Sequence, residues 1–159
     1  MTPTRPLISL LLTACLLATA ASPTHAAGSV TQDLQMAADS APFRDTADAF
    51  VTRSMAGDVG GMQALLSRQL VGRIGDEAAR KVLQAQIAPF FQRGRQPGGA
   101  VTITKTTDAS GQPGFAFYMW MQYAEAPTAR PFAIYVVKEQ GRLVVANIVP
   151  DRLVEGRHR

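Results

Sequence analysis

Three runs near the C-terminus constrain how this chain can fold. Residues 114–125 (GFAFYMWMQYAE), 130–139 (RPFAIYVVKE) and 141–150 (GRLVVANIVP) are rich in β-branched and aromatic residues, the composition of strands. Glu139-Gln140-Gly141 is a short glycine-containing connection that forces its flanking runs into an antiparallel hairpin. In the first run Phe115, Phe117, Met119 and Met121 share one face, and Ala116, Tyr118, Trp120 and Gln122 share the other. Neither is a wet face. A sheet presenting Tyr and Trp outward calls for a cover, so sheet-to-sheet homodimerisation is expected.

Upstream, residues 101–107 alternate Val and Ile with Thr, the pattern of a half-buried strand, and residues 108–113 are turn chemistry. The remainder reads as helical material covering one face of the sheet. Residues 30–40 form a short segment that Pro42 is expected to end. Phe43, Ala47, Phe50, Val51 and Ser54 then recur at helical spacing as far as Gly57-Asp58. Asp58 suits the N-cap of a following helix carrying Val59, Met62, Leu65 and Leu66. Residues 69–74 read as a short strand or a bend. Asp76 is expected to cap a longer helix over residues 77–92, kinked at Pro89 so that Phe90 and Phe91 tilt towards the sheet. Residues 93–99 (RGRQPGG) read as a loop.

The first 26 residues have the plan of an export signal: Arg5, an apolar stretch over residues 7–21, and a small-residue exit at Thr24-His25-Ala26. That stretch is shorter than the roughly 20 residues needed to cross a bilayer, so no transmembrane span is expected. Periplasmic or secreted protein, cut after Ala26, is one outcome. The other is a lipoprotein anchored through Cys15, since Leu12-Thr13-Ala14-Cys15 fits the bacterial lipobox. Either way the folded body holds no cysteine pair, and its stability must come from packing. Residues 27–42 are then a lead-in, 43–150 the domain, and 151–159 a basic tail. The net charge of +4 on 159 residues is spread along the chain, which argues against a nucleic-acid surface.

The order of these elements, two helices, a link, a third helix and four strands, resembles the nuclear transport factor 2-like superfamily. AFVTRSMAGDVGGMQALLS resembles its opening helix pair and RPFAIYVVKEQGRLVVANIVP its closing hairpin. The resemblance implies an α+β fold, with N-terminal helices packed on a curved antiparallel sheet of four or more strands to form a cone. It also implies a pocket between the two layers. Enzymes of the superfamily, such as ketosteroid isomerases, place an Asp or His there as proton carrier. Here the strand interiors 115–122, 132–137 and 143–149 hold no Asp, Glu or His. Asp48 and Asp58 are what remains for a catalytic role. The first lies off the apolar stripe of its helix, and the second is explained as a cap.

His25 and His158 lie at the chain ends, so no metal set, no Ser-His-Asp arrangement and no cofactor is expected. Residue types suited to binding are Phe90, Phe91, Tyr118, Trp120, Tyr135 and Asn147, which serve equally in core and interface packing. Asn147 interrupts the apolar series Leu143, Val145 and Val149, so it must meet water or a hydrogen-bond partner. The expected function is a non-enzymatic domain that binds a small apolar ligand or assembles with an envelope protein. A ketosteroid isomerase or dehydratase-like enzyme and a purely structural homodimer are the alternatives.

Overall fold

The computed structural model describes residues 24–95 and 102–150, with side chains from residue 31 onward and up to residue 149. The apolar signal stretch with Cys15, residues 96–99 and the basic tail lie outside the described residues; Gly94 and Arg95, expected in a loop, form a short strand instead. Helix α1 spans Thr24–Ala56 and runs straight through Pro42, which corrects the expectation that this proline ends a segment. A proline ring costs most where the carbonyl four residues back is buried. Here Ala38 and Pro42 are both exposed, so water can take the orphaned carbonyl. The continuous helix keeps Ser40, Ala47, Phe50, Val51 and Ser54 on one buried stripe. Ser54 is satisfied there, donating to the Phe50 carbonyl at 2.7 Å.

Helix α2 (Val59–Leu65) starts as expected, with Asp58 Oδ1 accepting the Gly61 N–H at 2.8 Å. Residues 69–74, expected as a strand or bend, instead belong to helix α3 (Arg68–Ile74). Two caps stabilise it. Ser67 Oγ accepts the Leu70 N–H at 2.9 Å. The Glu139 carboxylate, from the far end of the chain, accepts the N–H groups of Arg68 at 2.9 Å and Gln69 at 3.3 Å. Satisfying donors that a short helix cannot satisfy itself tips this stretch into helix.

Helix α4 (Asp76–Val82) begins one residue earlier than expected. Gly75, at φ +85°, holds the N-cap position, and Asp76 is the first helical residue. A π turn (Leu83–Ile87) follows, in which the Ala88 N–H bonds the carbonyl of Leu83, five residues back. Helix α5 (Ala88–Gln92) then carries Pro89 in its first turn, where a missing N–H is tolerated. The π turn thus precedes the proline, which opens α5 and does not kink a continuing helix, and Phe90 and Phe91 both reach Phe132 of the sheet.

The sheet comprises β1 (Gly94–Arg95), β2 (Thr102–Thr107), β3 (Pro113–Tyr123), β4 (Arg130–Glu139) and β5 (Arg142–Pro150), all antiparallel. β3 pairs with β4 on one side, and its other side is shared by β2 and the short β1. The β4–β5 hairpin turns through Gln140 (φ +50°) and Gly141 (φ +80°), a pair of left-handed residues matching the twist of a tight hairpin. A bulge at Ala146 shifts the register between Tyr135 and Val136.

Phe115, Phe117, Met119 and Met121 of β3 join Phe132, Ile134 and Val136 of β4 on the inner face, packed against α1, α2, the π turn and α5. Edge-to-face rings fill the centre: Phe91 lies 6.5 Å from Phe50, 5.2 Å from Phe90 and 5.1 Å from Phe132. The fold is thus α+β, helices on an open antiparallel sheet of five strands.

The helices do not all stay on that face. Leu66 pairs with Val145 at the β5 edge, and the Ser67 N–H bonds the Val145 carbonyl at 2.9 Å. Beyond this edge α3 is tied to Glu139, which alternates with the outward-facing Tyr135 and Val137 along β4. It therefore walls one end of the outer face, where Val137 and Val144 are buried outside the main core.

Candidate functional site

The six residue positions read from the sequence as binding types divide between the two faces. Phe90 and Phe91 belong to the packed interior, and Phe91 has no exposed surface. Tyr118, Trp120, Tyr135 and Asn147 lie on the outer face. Tyr118 and Tyr135 meet edge to face at 6.5 Å. Trp120 sits opposite Pro131 at the far end of that face and is 47% exposed. Tyr135 is paired with Asn147 across β4 and β5.

Those last two residues line a hollow. It holds about 500 Å³ on the outer face, between α3 and the β2–β3 turn, over Tyr135 and Val137. Gln69 and Arg73 of α3 form one wall, and Thr106 and Asp108 the other. Asp108 organises its own turn: its Oδ1 accepts the Ser110 N–H at 2.8 Å, the Ser110 hydroxyl at 2.7 Å and the Gln112 N–H at 2.8 Å. Partial burial raises its pKa, but these bonds and the Arg73 charge outweigh that effect, and the carboxyl ionises below its ordinary range.

The second hollow, about 540 Å³, opens between α1 and the ends of β2, β3 and β4. Its apolar surface is Phe43 against Phe115, ring centres 4.9 Å apart, with Pro113 and Gly114. Lys105, Lys138 and Asp39 stand around it. Asp39 accepts a hydrogen bond from Gln35 at 2.7 Å. Neither lysine has a carboxylate within 4 Å among the described residues. Reading the residues one by one passed over both lysines, yet a signal exists. Lys105 follows Ile103, and Lys138 follows Ile134 and Val136, each at the inward alternation of its strand. A lysine in that phase lies at the rim of a core, its stem over apolar surface and its ammonium in water.

The two carboxylates considered for catalysis lie elsewhere. Asp48 pairs with Arg44 at 3.5 Å along α1. Asp58 caps α2 and pairs with Arg53 at 3.1 Å. Neither lines either hollow. Among the described residues no three His, Cys, Asp or Glu side chains converge as a metal site would require.

Fold and hollows together define the class: an α+β domain whose open antiparallel sheet carries helices on one face and a walled hollow on the other. No family model matches the chain, and neither does any curated protein or solved structure.

Proposed function

We propose that this chain is a non-enzymatic binding domain of nuclear transport factor 2-like type, holding a small apolar molecule with one acidic group beneath α1. The observation that carries this reading is the second hollow, where the Phe43–Phe115 pair is flanked by two lysines without ion-pair partners among the described residues. Apolar walls with a few placed polar groups are what a small-molecule site requires. The rings take the aliphatic body, and Lys105 and Lys138 take the carboxylate at the mouth. The engaged state of Asp48 and Asp58 weighs against the isomerase or dehydratase alternative.

Titration calorimetry with decanoate tests the proposal. Saturable binding is expected, and Lys105→Glu combined with Lys138→Glu weakens it about tenfold or more, since exposed ion pairs contribute up to about 1 kcal/mol each. Decanol binding is expected to be unchanged in the double variant. Absence of saturable decanoate binding, or indifference to the charge reversal, sinks the reading. Release from the cell envelope belongs to the same proposal: the intact mass of envelope-purified protein is expected to begin at Ala27, and a lipidated Cys15 would replace that outcome.

A second reading, self-association through the outer face, is favoured by one observation. Trp120 is exposed beside Tyr118, in a strand whose inward side is already fully used. Sedimentation equilibrium is expected to give a dimer that Trp120→Arg converts to monomer, because a charge buried at an interface without a partner is costly. A monomeric parent protein would discard this reading.

A further inference from the structure

The outer-face hollow adjoins the site beneath α1 at Thr106 and Thr107, but the rest of its lining, and its chemistry, differ. Its walls carry opposite charges. Arg73 projects from the last turn of α3, and Asp108 from the turn between β2 and β3. They do not approach within 4 Å of each other, yet the guanidinium charge is felt at the carboxylate. The gap between them is therefore a slot with a positive and a negative side.

Each side has a second feature that defines what it recognises. Asn147 Oδ1 accepts the N–H of Ile148 at 2.9 Å. That bond sets the amide orientation, because only the oxygen can accept a proton from the backbone. The amide NH₂ is left as a donor, and Asn147 lines the same hollow as Arg73. Across the slot, all three bonds to Asp108 fall on Oδ1, and among the described residues Oδ2 accepts none. The positive side thus offers charged and neutral N–H donors, and the negative side a fixed, ionised acceptor next to the Thr106 hydroxyl. Tyr135 and Val137 make the floor less polar than either wall.

We propose that this hollow binds a small zwitterion of the α-amino acid type, the carboxylate meeting Arg73 and Asn147, the ammonium meeting Asp108 Oδ2, and the side chain lying over Tyr135 and Val137. A simple anion is disfavoured by Asp108 and a simple cation by Arg73, whereas a zwitterion satisfies both. A volume of about 500 Å³ has room for a molecule of this size.

Calorimetric titration of the full chain with each of the twenty standard amino acids tests the proposal, with glucose as a neutral polar probe. At least one amino acid is expected to bind saturably. Its N-acetylated amide, which lacks both charges, is expected to bind at least tenfold more weakly. Arg73→Gln and Asp108→Asn are each expected to lower affinity about tenfold, the size of one charge-assisted hydrogen bond. The amide side chain of the second variant retains an oxygen to accept the three turn bonds, and circular dichroism of both variants checks that the fold is kept. Failure of all twenty to bind overturns the proposal, as does binding that ignores both substitutions. Glucose binding that survives both substitutions, with no amino acid bound, overturns it in favour of a carbohydrate site. Decanoate binding beneath α1 is expected to be unaffected by Arg73→Gln, which keeps the two sites separable.

Discussion

Phe132→Ala is expected to remove about 3–5 kcal/mol of stability, the range for deleting a buried aromatic ring. Phe132 has no exposed surface and holds the sheet to the helices through ring contacts at 5.1 Å to Phe91 and 5.9 Å to Phe90. Phe91 in turn touches Phe50 of α1, so the missing ring loosens the only ring-to-ring route from β4 through α5 to α1 among these pairs. Where neighbours of a deleted ring relax only partly, a cavity term adds to the transfer term. Domains of this size carry about 5–15 kcal/mol in total, so the variant stands near the limit of folding. Urea denaturation of parent and variant measures it, read at unchanged slope. A loss below about 1 kcal/mol would mean that the rings do not form a close-packed centre.

Gly114→Ala is expected to cost about 3 kcal/mol, at the upper end of overpacking penalties. Gly114 pairs with Val137 across β3 and β4. A methyl group there would overlap the Val136 carbonyl oxygen and stand 2.9 Å from Val137 Cα, so backbone atoms, not a movable side-chain tip, must give way. The strands would have to separate at the end of the ladder that also floors the hollow beneath α1, so decanoate affinity falls with stability. The control is Gly72→Ala in α3, where no atom lies within 4 Å of the added carbon. Helix propensity there favours alanine by up to about 1 kcal/mol. Thermal melts of the two variants should therefore move in opposite directions, and a Gly114→Ala protein as stable as the parent would show that the strand end is loosely paired.

Which features were readable without coordinates follows from how far apart their causes lie. The two faces of β3, the Asp58 cap and the Gln140-Gly141 turn each depend on residues within a few positions of one another. Pro42 and α3 were misread for the opposite reason. Whether a proline breaks a helix depends on what surrounds the carbonyl it orphans, and Ala38 proved to face water. Whether seven residues with a central glycine become helix depended on Glu139, some 70 positions later, closing the first turn.

The candidate sites divide in the same way. Tyr135 stands out as an aromatic in an apolar strand, but Asn147 does not share a face with Leu143 and Val145 as expected: the bulge at Ala146 turns it to the outer face, where it lines a hollow with Tyr135. Lys105, Lys138, Arg73 and Asp108 look like ordinary surface charges along the chain. Strand register turns both lysines towards Phe43, and the passage of α3 around the β5 edge sets Arg73 opposite Asp108. Periodicity, set by the 2.0 and 3.6 repeats of strand and helix, determined by itself where the four long strands lie, how the side chains of β3 alternate and, with the Asp58 cap, where α2 begins. Which lone charges meet, and over which apolar floor, was decided only by the tertiary structure, because proximity between residues roughly 35 to 95 positions apart depends on packing and register that no local pattern encodes.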